Sequence, residues 1–172
     1  ALTSNTTGAS NTAIGHKSLL VSTTASQNTA VGAASLYTNT TGTNNVALGK
    51  DAMYLNTTGS QNIAVGRSAL GQNTTASNNT AVGDNALNAT TTGADNVAVG
   101  QDCLLNNTTN SNTAVGRYAM RANTTGTEQV AIGKGAMQAN TTGSYNIAIG
   151  YNALDANTTA NDNLSIGYNT LG

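Results

Sequence analysis

The stretch "NTTGSYNIAIG", residues 140–150, contains the pattern that decides the fold of this chain. Similar stretches occur earlier, "NTTGTNNVALG" at 39–49 and "NTTGSQNIAVG" at 56–66. The glycine that ends each copy falls at residues 15, 32, 49, 66, 83, 100, 116, 133, 150 and 167. The spacing is 17 residues at every step except one of 16, where "NTTNSN" (107–112) shortens the turn. The chain is therefore a tandem repeat, and the deletion predicts a surface loop at that turn.

Each repeat can be numbered 1–17 so that this glycine is coil position 17, and the residues that share a position form a rank. Position 4 is always Leu or Met, and positions 8 and 9 are always Thr. Position 13 is Asn except for Gln129, and position 15 is Ala except for Ser165. Position 16 is always Ile, Val or Leu. This regularity predicts an ordered lattice of small aliphatic residues, although the chain lacks Pro, Trp and Phe.

Seventeen residues are too few for a helical repeat and suit one coil of a β-solenoid. The stretch "NIAIG" (146–150) alternates large and small residues as a strand does. The stretch 152–156 predicts a second short strand, and "NTTG" predicts the longer corner. We therefore expect an all-β parallel solenoid, with two short strands per coil, about ten coils and a length of about 48 Å. Residues 1–172 form one repeat array, which we expect to be a piece of a longer fibrous chain.

All charged residues lie at positions 1, 2, 5 or 12, so positions 3, 4 and 13–17 are predicted to be buried. The predicted core stripe combines large apolar residues of positions 4 and 16: Leu19, Leu36, Met53, Leu70, Leu87, Leu104, Met120, Met137, Leu154, Val31, Val65, Val82, Val99, Ile132 and Ile149. Alanines then face outwards as a candidate inter-chain stripe: Ala30, Ala47, Ala64, Ala81, Ala98, Ala114, Ala131 and Ala148. The opposite assignment, with small residues inside, stays open and also implies association.

Asparagines at positions 7 and 13 predict stacked amides that hydrogen-bond from coil to coil. The predicted ladder at position 13 comprises Asn28, Asn45, Asn62, Asn79, Asn96 and Asn146. The "NTT" units also match the N-glycosylation sequon. Asn and Thr that satisfy the backbone of the corner are the simpler interpretation.

The composition disfavours several function classes. A net charge of −1 argues against nucleic-acid binding, and no apolar run is long enough to span a membrane. The single histidine, His16, occupies a variable, charge-bearing position, and the single cysteine, Cys103, occupies a small-residue position. No catalytic set, phosphate loop or metal-ligand motif is present. We therefore expect no enzyme activity, no cofactor and no metal.

Units such as "NIAIGYNAL" (146–154) resemble the head repeats of YadA-like trimeric autotransporter adhesins and related repeats of phage tail fibres. The resemblance covers essentially the whole chain, although the adhesin repeat is shorter than 17 residues. It implies a left-handed parallel β-roll, a side-by-side homotrimer, a cell-surface or virion-surface location, and a host surface or matrix as partner.

Three functions follow as hypotheses. The first is a rigid structural and adhesive segment of an extracellular fibre, either a surface adhesin or a tail fibre. The second is a self-assembling extracellular filament, in which copies of the chain also join end to end. The third is an ice-binding solenoid that uses the ranks of paired threonines, although adjacent Thr-Thr at a corner would point in different directions.

Overall fold

The computed structural model describes residues 1–172 and is all-β, with no helix. Its ten strands form one parallel sheet in chain order, so the chain winds a β-solenoid of about nine turns. The strands are β1 (Thr12–Ile14), β2 (Thr29–Val31), β3 (Val46–Leu48), β4 (Ile63–Val65), β5 (Thr80–Val82), β6 (Val97–Val99), β7 (Thr113–Val115), β8 (Val130–Ile132), β9 (Ile147–Ile149) and β10 (Leu164–Ile166). The predicted parallel solenoid is confirmed.

Equivalent coil positions pair with each other along the sheet. Ala47 of β3 lies opposite Ala64 of β4, and this register repeats at every step. The shortened repeat keeps it, because Val97 pairs with Thr113. The deletion is absorbed in the corner, where the carbonyl of Thr109 accepts hydrogen bonds from the side-chain amides of Asn96 and Asn107, both at 2.8 Å. The prediction that the corner tolerates the deletion is confirmed.

The predicted second strand is wrong. Residues 151–156 form turns, and Asn152 and Leu154 have φ angles of 47° and 55°. Left-handed residues occur at positions 2 and 4 of every other complete coil as well. Such residues cannot continue an extended strand. The segment still bonds its neighbour, since the N–H of Leu154 donates to the carbonyl of Thr170 at 2.8 Å. Each coil therefore has one strand and, across from it, one turn that stacks in the same register.

The glycine at position 17 closes each strand. In Gly66 the φ angle is +136°, and a Cβ there would lie 2.3 Å from the carbonyl oxygen of Gly83 in the next coil. A side chain would therefore collide with rigid backbone. This close stacking explains why the glycine recurs without exception.

The interior lies between the strand and the turn. The predicted core rank at position 4 is confirmed, because its Leu and Met residues from Leu19 to Leu154 are buried. The alanine rank is buried as well, and every alanine from Ala30 to Ala148 is fully covered. Small residues at position 15 leave room for the large side chains that enter from the opposite side of the coil. The core is therefore thin and continuous, with large side chains from the turn on one side and alanines from the strand on the other.

Candidate functional surfaces

The structure reverses the predicted assignment of the strand's two faces. Neighbouring residues of a strand point to opposite sides, so a buried alanine rank forces positions 14 and 16 outwards. The position-16 residues that we expected in the core are instead partly or largely exposed: Val31, Val65, Val82, Val99, Ile132 and Ile149. The alanines expected to form an inter-chain stripe are fully buried inside the coil and leave no surface for a second chain: Ala30, Ala47, Ala64, Ala81, Ala98, Ala114, Ala131 and Ala148.

The outer sheet face, formed by positions 14 and 16 of all ten strands, is the main apolar surface of the molecule. No charged residue lies on it, and its only polar side chains are Thr12, Thr29, Thr80 and Thr113. Ile14, Leu48 and Ile166 are 61%, 46% and 63% exposed. A sheet face that stays in water normally carries polar residues. An uncharged, largely apolar face of this length is typical of an interface.

Two ladders of buried amides hold successive coils together on the other side of the interior. In the predicted ladder at position 13, the Oδ1 of Asn62 accepts from the backbone N–H of Asn79 at 3.0 Å. Its Nδ2 donates to the carbonyl of Ala76 at 2.9 Å and to Oδ1 of Asn45 at 3.2 Å. The predicted members are all buried and confirmed: Asn28, Asn45, Asn62, Asn79, Asn96 and Asn146.

The second ladder, at position 7, is also present but broken. Asn56 Nδ2 donates to Oδ1 of Asn39 at 2.8 Å, and Asn73 Nδ2 donates to Oδ1 of Asn56 at 2.6 Å. It stops at Thr90, whose hydroxyl instead donates to the carbonyl of Asn107 at 2.7 Å. The Oδ1 of Asn73 is therefore left buried without a partner. A non-amide residue in this rank interrupts the chain of hydrogen bonds.

These ladders decide between the two interpretations of the "NTT" units. Asn39, Asn56, Asn73, Asn123 and Asn140 are fully buried, with their amides engaged between coils. A sugar on any of these nitrogens would require the coil to open. The interpretation that they satisfy the corner's backbone is therefore the one that the structure supports.

The paired threonines do not form two free ranks. At position 8, the hydroxyls of Thr57 and Thr74 donate to the carbonyl of the next threonine in the rank at 2.9 and 3.0 Å. Position 9 is exposed in most coils, as at Thr58 and Thr75. Most position-8 hydroxyls are therefore engaged in hydrogen bonds along the rod, and only the position-9 rank has hydroxyls that are mostly free of such bonds, which weakens the ice-binding hypothesis.

A groove of about 620 Å³ runs along the rod beside positions 1, 2, 5 and 6. It extends over five coils, from His16 to Asn88. Tyr37 and Tyr54, both at position 5, stack in it with ring centroids 5.1 Å apart and planes inclined by 17°. This groove was not predicted from the sequence. The sequence feature that could have indicated it is position 5, where Tyr37 and Tyr54 in successive coils are followed by Gly71, which has no side chain.

The remaining reactive groups are dispersed. His16 is exposed, and no three His, Cys, Asp or Glu side chains are grouped as a metal site. Cys103 is buried, its Sγ lies 3.2 Å from the carbonyl of Ala114, and burial raises the pKa of its thiol to about 12. The chain has no helix that is long and apolar enough to cross a membrane.

Comparisons with protein-family models, with curated proteins and with solved structures gave no match to this chain.

Proposed function

We propose that this chain is a rigid segment of an extracellular fibre, of the surface-adhesin or tail-fibre kind, in which copies of the chain associate side by side. The single observation that carries this proposal is the outer sheet face: ten strands of apolar, mostly β-branched side chains with no charge among them. The resemblance of the repeats to trimeric adhesin heads supports the surface location and a homotrimer.

The outer sheet face has the properties that lateral association requires. Its residues are held in register by backbone pairing, so the surface is rigid before any partner arrives. Preorganisation lowers the entropic cost of association. All charged side chains lie at positions 1, 2, 5 and 12, outside this face. Burial of the face therefore does not require any charged group on it to lose its water. Burial of apolar surface then drives the chains together.

Each chain offers one such face, which limits the assemblies that bury it. Two chains can pack face to face around a two-fold axis, or three chains can direct their faces at a common three-fold axis. In both cases the rods lie parallel to the assembly axis and the corners stay in solvent. The resemblance to adhesin heads favours three chains.

The rod architecture suits a spacer that carries a binding segment away from a surface. Each additional repeat extends the rod by one strand spacing, about 4.8 Å. The solenoid makes its contacts between neighbouring coils, so the number of repeats can change without a new core. A host surface or matrix is the partner that this proposal assigns to such a fibre.

The oligomeric mass in solution tests lateral association. Sedimentation equilibrium should give three times the chain mass of 17.2 kDa for the wild type. Val82→Lys places a charge at the centre of the outer sheet face and should reduce the mass to that of one chain. Thr125→Lys adds the same charge at an exposed corner and should leave the trimer intact. Circular dichroism of each variant checks that the solenoid persists.

The outcomes separate the hypotheses. A wild-type mass of 17.2 kDa at all concentrations contradicts lateral association, and twice that mass contradicts the trimer. A mass that grows without limit as the concentration rises favours the self-assembling filament. Antibody labelling of intact producer cells or virions tests the surface location, and labelling only after lysis contradicts it.

A further inference from the structure

The outer sheet face has two edges, and they carry charges of opposite sign. Position 12 precedes the strand, and its left-handed residue turns the chain from the corner into the sheet. Position 1 follows the strand, directly after the glycine of position 17. The charged residues at position 12 are all acidic: Asp95, Glu128 and Asp162. Those at position 1 are basic except for Asp84: Lys50, Arg67, Arg117 and Lys134. We call position 12 the acidic edge and position 1 the basic edge.

The charges beside β6 to β10 have no partner within the chain. The two ion pairs of the molecule join Lys50 to Asp51 at 3.6 Å and Arg67 to Asp84 at 2.9 Å. All three acids of the acidic edge are exposed and unpaired, as are the two bases of the basic edge in this part, Arg117 and Lys134. Glu128 and Lys134 flank β8 on its two sides, but a three-residue strand of about 10 Å separates them. Both edges therefore present charge that the single chain does not neutralise.

Exposed tyrosines extend the same two edges at β9 and β10. Tyr145 lies on the acidic edge and is 54% exposed, and Tyr151 lies on the basic edge and is 40% exposed. Tyr168, the next residue of the basic edge, stacks on Tyr151 with ring centroids 5.2 Å apart. The Nζ of Lys134 lies 5.3 Å from the centroid of Tyr151, so base and rings form one continuous surface. Aromatic residues are enriched in protein interfaces.

A parallel assembly brings unlike edges together. When chains direct their sheet faces at a common axis parallel to the rods, rotation places the basic edge of each chain against the acidic edge of the next. Rotation without translation also keeps each coil level with the same coil of its neighbour. Lys134 of one chain then lies opposite Glu128 of the next, and Tyr151 lies opposite Tyr145. At no level does a charge face another of the same sign.

An antiparallel assembly brings like edges together. A two-fold axis across fully overlapping rods places β3 of one chain opposite β8 of the other, and β4 opposite β7. Lys50 would then face Lys134, and Arg67 would face Arg117. No acid would lie directly opposite a base. Like charges placed together disfavour an interface, so the two edges distinguish the two arrangements.

We propose that the basic edge of one chain binds the acidic edge of the next, in parallel and coil to coil, with Lys134 on Glu128 and Tyr151 on Tyr145. This inference rests on the proposed lateral association and adds the polarity and the axial register of the chains. The apolar face supplies most of the affinity, because exposed ion pairs contribute little. The edges supply specificity, since they reject the antiparallel arrangement that an uncharged face accepts.

Paired cysteines report which edges meet. In a Cys103→Ala background, Glu128→Cys with Lys134→Cys places one thiol on each edge beside β8. Oxidised glutathione should then produce covalent species of two and three chains on a denaturing gel. The strand between the two residues is too long for a disulfide within one chain. Asn44→Cys with Glu128→Cys is the matched control, because both residues are exposed on the acidic edge, at levels that only antiparallel chains would bring together. It should stay a single chain.

Charge reversal tests the ion pair itself. Glu128→Lys should raise the concentration at which half of the trimer dissociates by about tenfold at low salt, and Lys134→Glu should do the same. The double variant Glu128→Lys/Lys134→Glu restores opposite charges across the contact and should recover the wild-type value. Sedimentation equilibrium measures each value. The differences should disappear in about 1 M NaCl, which screens charges beyond a few ångströms.

The outcomes separate this inference from the proposed function. An oligomeric wild type that forms the Asn44–Glu128 link instead of the Glu128–Lys134 link overturns the inference, as does one that forms neither. Glu128→Lys with wild-type dissociation at low salt overturns it as well. A wild type that stays a single chain at all concentrations overturns lateral association and this inference together.

Discussion

The apolar side and the amide side of the solenoid interior are equally well buried, yet different forces hold them. On the apolar side, Leu or Met at position 4 packs against the alanine rank. On the amide side, the ladders of positions 7 and 13 bond each coil to the next. Apolar contacts are non-directional and tolerate small shifts, whereas amide hydrogen bonds require one axial register. We infer that the apolar side supplies most of the burial and that the amide side fixes the 17-residue repeat.

Removal of one rung of the amide ladder should have the largest effect. Asn62→Ala leaves the N–H of Asn79 buried without a partner. It also removes the hydrogen bonds from Asn62 Nδ2 to the carbonyl of Ala76 and to Oδ1 of Asn45, although Asn73 Nδ2 still donates to Ala76. The unpaired N–H costs about 1–3 kcal/mol and each of the two lost hydrogen bonds about 1 kcal/mol, so we expect a loss of about 4 kcal/mol in the free energy of unfolding. Urea denaturation followed by circular dichroism measures this loss.

Asn106→Ala is the control for this prediction. Asn106 lies at exposed position 6 of its coil, and its side chain makes no hydrogen bond within the chain. A substitution there should change the free energy of unfolding by less than about 0.5 kcal/mol. If Asn62→Ala costs no more than Asn106→Ala, the ladder does not hold the coils in register.

Truncation on the apolar side should cost somewhat less. Leu87 is fully buried between Leu70 and Leu104 of the neighbouring coils. Leu87→Ala removes most of this side chain and should destabilise the chain by about 3 kcal/mol. Leu87→Met is the matched control, because Met53, Met120 and Met137 occupy the same rank. It should cost less than about 1.5 kcal/mol. Equal losses for both variants, measured by urea denaturation, would contradict tight packing at this rank.

The two sides also differ in how well the sequence predicts them. The period, the parallel register, the leucine rank and the position-13 ladder follow from the recurrence of Gly, Leu, Met and Asn. The recurrence does not show which face of the strand points inwards, because Ala47 and Leu48 alternate in the same way in either case. The decision depends on the width of the coil. The turn opposite the strand, where Asp51 and Met53 have left-handed φ angles of 57° and 50°, was not predicted, so the sequence left this width open.

Left-handed leucines are hard to foresee, since the conformation costs a non-glycine residue about 1–2 kcal/mol. Here Leu87 has a φ angle of 52° and is nevertheless fully buried. Full burial of a leucine side chain contributes about 1.5–3 kcal/mol, which offsets the backbone cost. The groove was equally hidden from sequence reasoning. It requires Tyr54 and Gly71 to be neighbours along the rod, and only the register of the coils makes them so.

Cys103→Ala should have the smallest effect on the free energy of unfolding. It tests whether water reaches the apolar side of the core. Burial raises the pKa of the Cys103 thiol from 9.0 to about 12, so the folded chain holds the proton that the unfolded chain releases. Stability from this group is present below pH 9.0 and is lost as the pH rises towards 12. At pH 10 the wild type should have lost about 1 kcal/mol relative to Cys103→Ala, since this pH lies one unit above the pKa of the unfolded thiol. Alanine is the common residue of this rank, as at Ala86 and Ala119, so the variant keeps the packing nearly unchanged. Urea denaturation of both proteins at pH 7, 9 and 10 isolates the thiol, because the two proteins differ at this residue alone. Parallel pH profiles would mean that the thiolate is solvated within the fold, and that the apolar side admits water as readily as the corners do.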